Sequence, residues 1–195
     1  MHDILIQGGT VVDGTGAPAR QADVAVQGGR IVAVGHGLGD AQRVIDARGL
    51  LVTPGFVDIH THYDGQATWD AFLTPSCWHG VTTAVFGNCG VGFAPVRPGS
   101  TDYLINLMEG VEDIPGTVLA EGIDWSWESF PQYLDALEKR HYAMDIGAQL
   151  PHAALRFYAM GDRGANHHER PSPAELDQMG QLPEAALRAG ALGIT

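Results

Sequence analysis

A chain of 195 residues has room for one large domain or two small ones, and 45% hydrophobic against 17% charged residues is a globular composition. The formal net charge of −12 argues against nucleic acid and an anionic membrane as partners, and no apolar run approaches the length of a membrane span. The start, Met1-His2-Asp3-Ile4, lacks the basic and apolar regions of a signal peptide, and Cys77 and Cys89 alone make no disulfide framework, so a cytoplasmic setting is expected.

Residues 1–54 read as a small β domain. Apolar runs at 4–6 and 10–12 flank Gly8-Gly9, and runs at 24–26 and 31–34 flank Gly28-Gly29, so both pairs predict hairpins. Further strands are expected at 43–46 and 50–52, and with no nucleophile cluster this block reads as structural. The rhythm changes over residues 55–195. A strand is expected from Gly55 to His62, then a polar loop at 63–70 and a short helix at 74–80 with Thr74 as N-cap. A second strand at 81–86 precedes a long connection with a helical piece near 102–109. Apolar residues at helical spacing predict a helix over 127–140, followed by a third strand at 145–150. Ser172 caps an amphipathic helix over 173–188, and a fourth strand begins at Ala191. Strands alternating with helices predict parallel pairing with the helices packed outside.

The chemistry gathers at strand ends. In a strand, alternate residues share a face, so His60 and His62 point one way with Phe56 and Asp58. Their side chains are then about 7 Å apart, a gap one metal ion at ~2.1 Å from each nitrogen can bridge. The second strand ends in Asn88-Cys89 and the third near His152, on the same edge. A free cysteine is ordinarily a small buried hydrophobe, and Cys77, inside a helix, is read so. Cys89 lies in a glycine-rich loop beside the histidine pair, where a thiolate ligand is the second reading. His152 and Arg156 could meet a substrate carboxylate, or be no more than a polar strand end and a helix residue. Gly87-x-x-Gly90-x-Gly92 matches neither dinucleotide nor phosphate-loop patterns, which excludes a nucleotide site there.

These stretches resemble a known family. Val52-Thr-Pro-Gly-Phe-Val-Asp-Ile-His-Thr-His62 is similar to the signature of the amidohydrolase superfamily. His79-Gly-Val-Thr-Thr-Ala-Val-Phe-Gly-Asn-Cys-Gly-Val-Gly-Phe-Ala-Pro95, Met108-Glu-Gly-Val-Glu-Asp-Ile-Pro115 and Trp125-Ser-Trp127 resemble the N-acyl-D-amino-acid deacylases within it. The resemblance implies the first half of a metal-dependent (β/α)8 TIM barrel, preceded by a small β-sandwich domain built from both chain ends. It implies one or two zinc ions, with His60, His62 and Cys89 as ligands, and a small N-acyl amino acid substrate hydrolysed by metal-bound water. The family's remaining histidine ligands and its general-base aspartate are expected beyond residue 195, so the chain reads as an amino-terminal fragment needing its missing half or self-association. Hydantoinase-like relatives use a carboxylated lysine on the fourth strand; here the single lysine, Lys139, falls in a helical stretch, which favours the cysteine-type deacylases. Two alternatives stand beside this reading: a hydantoinase- or dihydropyrimidinase-like cyclic amidase, and a truncated, non-catalytic assembly or regulatory module.

Overall fold

The computed structural model describes residues 1–195, which form two compact units, Met1–Gly55 and Phe56–Thr195. The first is one five-stranded sheet. Its strands are β1 (His2–Val11), β2 (Arg20–Gln27), β3 (Arg30–Gly35), β4 (Ala41–Asp46) and β5 (Leu51–Val52). The order is β3-β2-β1-β4, with β5 also on β1; β2 and β3 are antiparallel, and β4 and β5 run parallel to β1. Gly28-Gly29, at φ +58° and +72°, makes the expected tight hairpin. Gly8-Gly9 does not. There β1 runs straight through, and the register shifts between Ile6 and Gly9 as a bulge. Gly8 sits at φ +74° and its N–H donates to Asp23 Oδ1 at 2.8 Å, fifteen residues on, so the backbone kinks without reversing.

The second unit is built on a three-stranded parallel sheet in the order β6-β7-β8. Its strands are β6 (Phe56–Asp58), β7 (Val81–Phe86) and β8 (Asp145–Ala148). Past β8, Leu150 bridges Ile194 in parallel, and Leu150 N–H to Gly193 O at 2.9 Å begins the expected fourth strand. The helices are α1 (Thr101–Glu112), α2 (Gly116–Gly122), α3 (Phe130–Glu138), α4 (His152–Met160) and α5 (Pro173–Arg188). Phe86, Leu104, Met108, Tyr133 and Leu150 are fully buried and form the centre of its core. Both α3 and α5 begin with a reciprocal capping box, Ser129 with Gln132 and Ser172 with Glu175, and with proline in the first turn. No helix is long and apolar enough to cross a membrane.

Three expectations change. The strand beginning at Phe56 stops at Asp58, short of His62. The segment expected as a helix from Thr74 is a 3-10 turn, Ser76–His79, with no side-chain cap; the Thr74 hydroxyl donates instead to Asp70 Oδ2 at 2.9 Å. Helix α4, invisible as a pattern, starts directly behind Pro151.

Asp70 organises the loop before β7. Burial alone would raise its pKa, but hydrogen bonds from Thr74 N–H, Gln66, Phe72 N–H and the Thr74 hydroxyl outweigh it and hold the carboxyl down at about 2. A depressed carboxylate stabilises fully above its unfolded pKa, near pH 4, and loses that contribution as pH falls toward 2. Asp70→Ala is expected to cost on the order of 1–2 kcal/mol at pH 6 and much less near pH 2, read as the gap between the two proteins' melting temperatures across that range. Gly87 closes β7 at φ +87°, and a Cβ there would run into the Gln149 carbonyl. Gly87→Ala is expected to destabilise the second unit by about 3 kcal/mol, since strain and overpacking each cost 1–3, and a urea melt measures it.

Candidate metal centre

The site begins where β6 stops. Asp58 Oδ1 accepts the His60 N–H at 3.2 Å, an Asx-type turn that takes residues 59–62 out of regular strand pairing. Thr61 re-anchors the segment: its N–H and hydroxyl donate to Val85 O at 3.0 and 2.9 Å, and it is buried. His60 and His62 flank Thr61 and face the other way. Their ring centroids are 5.4 Å apart with planes at 62°. The pair therefore converges more than two residues of an extended strand would.

Cys89 arrives from the next strand end. Asn88, buried beside it, donates through Nδ2 to Ile59 O at 2.9 Å and Val85 O at 3.1 Å, and its Oδ1 accepts from Gln149 Nε2 at 2.9 Å. Gly87 O also accepts a bond from the Thr195 hydroxyl. These bonds fix the loop while Cys89 takes φ +55°, a left-handed conformation rare outside glycine. The side chain is turned outward: Cys89 is exposed, and its Sγ lies 2.9 Å from His60 Nε2. One donor atom from each of His60, His62 and Cys89 falls within 4.8 Å of the others. Two imidazole nitrogens and a thiolate suit a zinc-like ion. Cys77 is half-buried and packs on the hydrophobic core, away from this cluster.

The surroundings are electrostatically unusual. Burial holds the His62 imidazolium below its ordinary range; the Glu112 carboxylate pulls the other way and His60 adds to the depression. Asp64 is sealed beneath the site, its Oδ2 without a partner, and burial pushes it up to about 8. Glu112, at the end of α1, brings Oε2 to 3.2 Å from His62 Nε2. Sequence reading passed over it inside the Met108 to Pro115 stretch. The available signal was an acid in the last turn of a helix, where the macrodipole disfavours one.

His152, beside Gly90 in the Cys89 loop, and Arg156 line a neighbouring cavity. His152 opens α4, with its N–H on Thr195 O at 2.9 Å, and the cavity, of about 300 Å³, is also lined by Tyr103, Leu107 and His167. The Arg156 guanidinium donates to the carbonyls of Gly164, Asn166 and Glu169. It ties down the segment after α4, which leaves few donors for a substrate carboxylate.

With this geometry in place, comparison is informative. The model of the amidohydrolase family matches residues 43–195. The chain belongs to that family. It is similar to a D-aminoacylase of Alcaligenes xylosoxydans xylosoxydans, 36% identical over 195 residues, covering 99% of this chain and 37% of the relative. A D-aminoacylase crystal structure with a binuclear metal centre matches all of this chain and 38% of its own, at 37% identity and a TM-score of 0.82. An N-acyl-D-glutamate deacylase from Bordetella bronchiseptica, in complex with zinc and a phosphonate mimic of the tetrahedral intermediate, matches at 35% identity and a TM-score of 0.75 over 99% of this chain and 38% of its own. The chain thus spans a little over a third of these amidohydrolase relatives.

The strained backbone at Cys89 separates its chemistry from its fold. A left-handed non-glycine residue costs about 1–2 kcal/mol. In metal-free protein, Cys89→Gly is expected to be more stable than Cys89→Ala by about 1 kcal/mol, while both lose the thiolate. Denaturant melts in the presence of a chelator measure the difference.

Proposed function

We propose that this chain carries part of the active site of a zinc-dependent amidohydrolase that deacylates N-acyl-D-amino acids. The observation that carries the reading is the convergence of His60, His62 and Cys89 within 4.8 Å, with a thiol in place of a lysine-derived carbamate. The similarity to D-aminoacylase and to N-acyl-D-glutamate deacylase supports the substrate class, a small N-acylated D-amino acid. In this reading, residues 55–195 are the first half of a (β/α)8 barrel, and residues 1–54 part of a β-sandwich domain completed by the other chain end. The further metal ligands and the general-base aspartate belong to the portion of the relatives that this chain does not span.

A zinc ion held by these residues would supply Lewis acidity to the acyl carbonyl and to a water molecule. The protein's share is orientation. The Asp58 and Thr61 bonds aim the two imidazoles, and Asn88 holds the Cys89 loop against both neighbouring strand ends. Burial favours the neutral His62 imidazole, the form that can act as a ligand. His152 stands near the rim as a candidate substrate contact, and Arg156 acts through the segment it anchors.

In the full-length protein, His60→Ala, His62→Ala and Cys89→Ala are each expected to lower both bound zinc and hydrolysis of an N-acyl-D-amino acid, by more than roughly 100-fold in affinity. Elemental analysis of bound metal and a free-amine assay provide the two readouts. Unchanged zinc in all three variants would overturn the site. The 195 residues alone are expected to bind zinc weakly and to show no measurable turnover.

A further inference from the structure

We infer that Asp64 is a positioning residue of the centre: its buried carboxyl props both ends of the loop that carries Cys89. The inference rests on the metal reading of His60, His62 and Cys89.

The first observation is where the carboxyl sits. Asp64 follows His62 by two residues and is 2% exposed. Its Oδ1 lies against Gly92: a Cβ on that glycine would fall 2.8 Å from Oδ1 and 2.9 Å from Pro151 Cγ. Gly92 does not take a left-handed φ, so glycine is needed there for closeness and not for conformation. At the other end of the loop, the Gly87 N–H is turned toward the same carboxyl. Cys89 lies between these two contacts, at φ +55°. Asn88 holds the loop from the strand side, and Asp64 holds it from beneath. A strained residue of this kind persists only where its surroundings over-determine it.

The second observation is that Asp64 is itself fixed. Its backbone carbonyl accepts the Tyr133 hydroxyl at 2.8 Å, and Tyr133 is buried. The carboxyl therefore cannot retreat from the loop without breaking a core contact.

The third observation is that the fold gains little from a carboxyl at this position. Oδ2 has no hydrogen-bond partner. Burial pushes the group up to about 8, the N–H groups of Asp64 and Gly87 pull the other way, and the Glu112 carboxylate adds to the rise. A sealed polar atom left unpaired is destabilising. What the carboxyl supplies is contact with the Cys89 loop. The segment from His60 to Asp64 thus brings two of the donors and sets the place of the third.

Cobalt(II) bound to the full-length protein tests this without relying on activity, because a thiolate ligand gives a near-ultraviolet charge-transfer band that imidazoles do not. Wild type, Asp64→Asn, Asp64→Leu, Cys89→Ser and the Asp64→Leu/Cys89→Ser double variant are titrated with cobalt(II) against a chelator, with circular dichroism as a fold check. Asp64→Leu resembles the carboxyl in shape but offers the loop no oxygen. It is expected to bind cobalt about tenfold more weakly or worse and to lose intensity in the thiolate band. Asp64→Asn keeps an oxygen for Gly87 and should restore both. In the Cys89→Ser background, Asp64→Leu should cost no further affinity, since the residue acts through the cysteine. The role of Asp64 is refuted if Asp64→Leu matches wild type in affinity and band, or weakens cobalt equally with and without Cys89. Should Asp64→Leu not fold, Gly92→Ala, which drives a Cβ against Oδ1 from the loop side, is read in the same way. Failure of both to fold makes the carboxyl a requirement of the fold and also refutes the role. A wild type without the thiolate band, or matched in affinity by Cys89→Ser, overturns the metal reading itself and the role of Asp64 with it.

Discussion

Everything in the candidate centre depends on one buried amide. The Asn88 side chain is bonded at both ends: its nitrogen serves carbonyls of the two strand segments before it, and its oxygen receives Gln149 from the strand after it. Three parallel strand ends are thereby held in one register by a single residue. A neutral buried amide with these bonds made is stabilising, whereas an unmade one costs the full desolvation of the group. The loop therefore has one low-energy arrangement, and Cys89 is carried in it at a backbone angle it would not choose. Strain at that residue is the cost of aiming a thiol outward toward the histidines.

The same logic extends through the second unit. Parallel strands place their carboxyl ends on one edge, and the loops there are free to carry chemistry because the sheet behind them is fixed. Here β6, β7 and β8 supply the frame, and the short turns after β6 and β7 supply the donors. The long connection between β7 and β8 adds α1, which closes over His62 with a carboxylate. Polar groups sealed beneath the site, Asp64 above all, are held in unfavourable surroundings by the packing around them. Such local conflicts concentrate where a protein binds or reacts.

Much of the fold was legible in the chain. Alternating strand and helix patterns marked the parallel sheet, and Ser172 with Pro173 marked the start of α5. Local cues failed where side-chain hydrogen bonds to the backbone or to one another competed. Gly8-Gly9 has the composition of a turn, yet Asp23, fifteen residues on, draws it into a bulge. Thr74 and Pro75 look like a helix start, yet Asp70 claims the threonine hydroxyl. The strand of Phe56 looks continuous to His62, yet the Asp58 carboxylate ends it by accepting the His60 N–H.

The sequence by itself determined the donors: two histidines one residue apart, a cysteine in a glycine-rich turn, and an apolar run before each. Side-chain chemistry and local spacing are properties of the chain, and they mark a candidate metal site without a fold. Only the tertiary structure decided which donors meet. Cys89 is 29 residues from His60 and reaches it because neighbouring parallel strands end on the same edge. Glu112 reaches His62 across fifty residues because α1 packs over that edge. No periodicity encodes either contact, since each follows from strand order and helix packing.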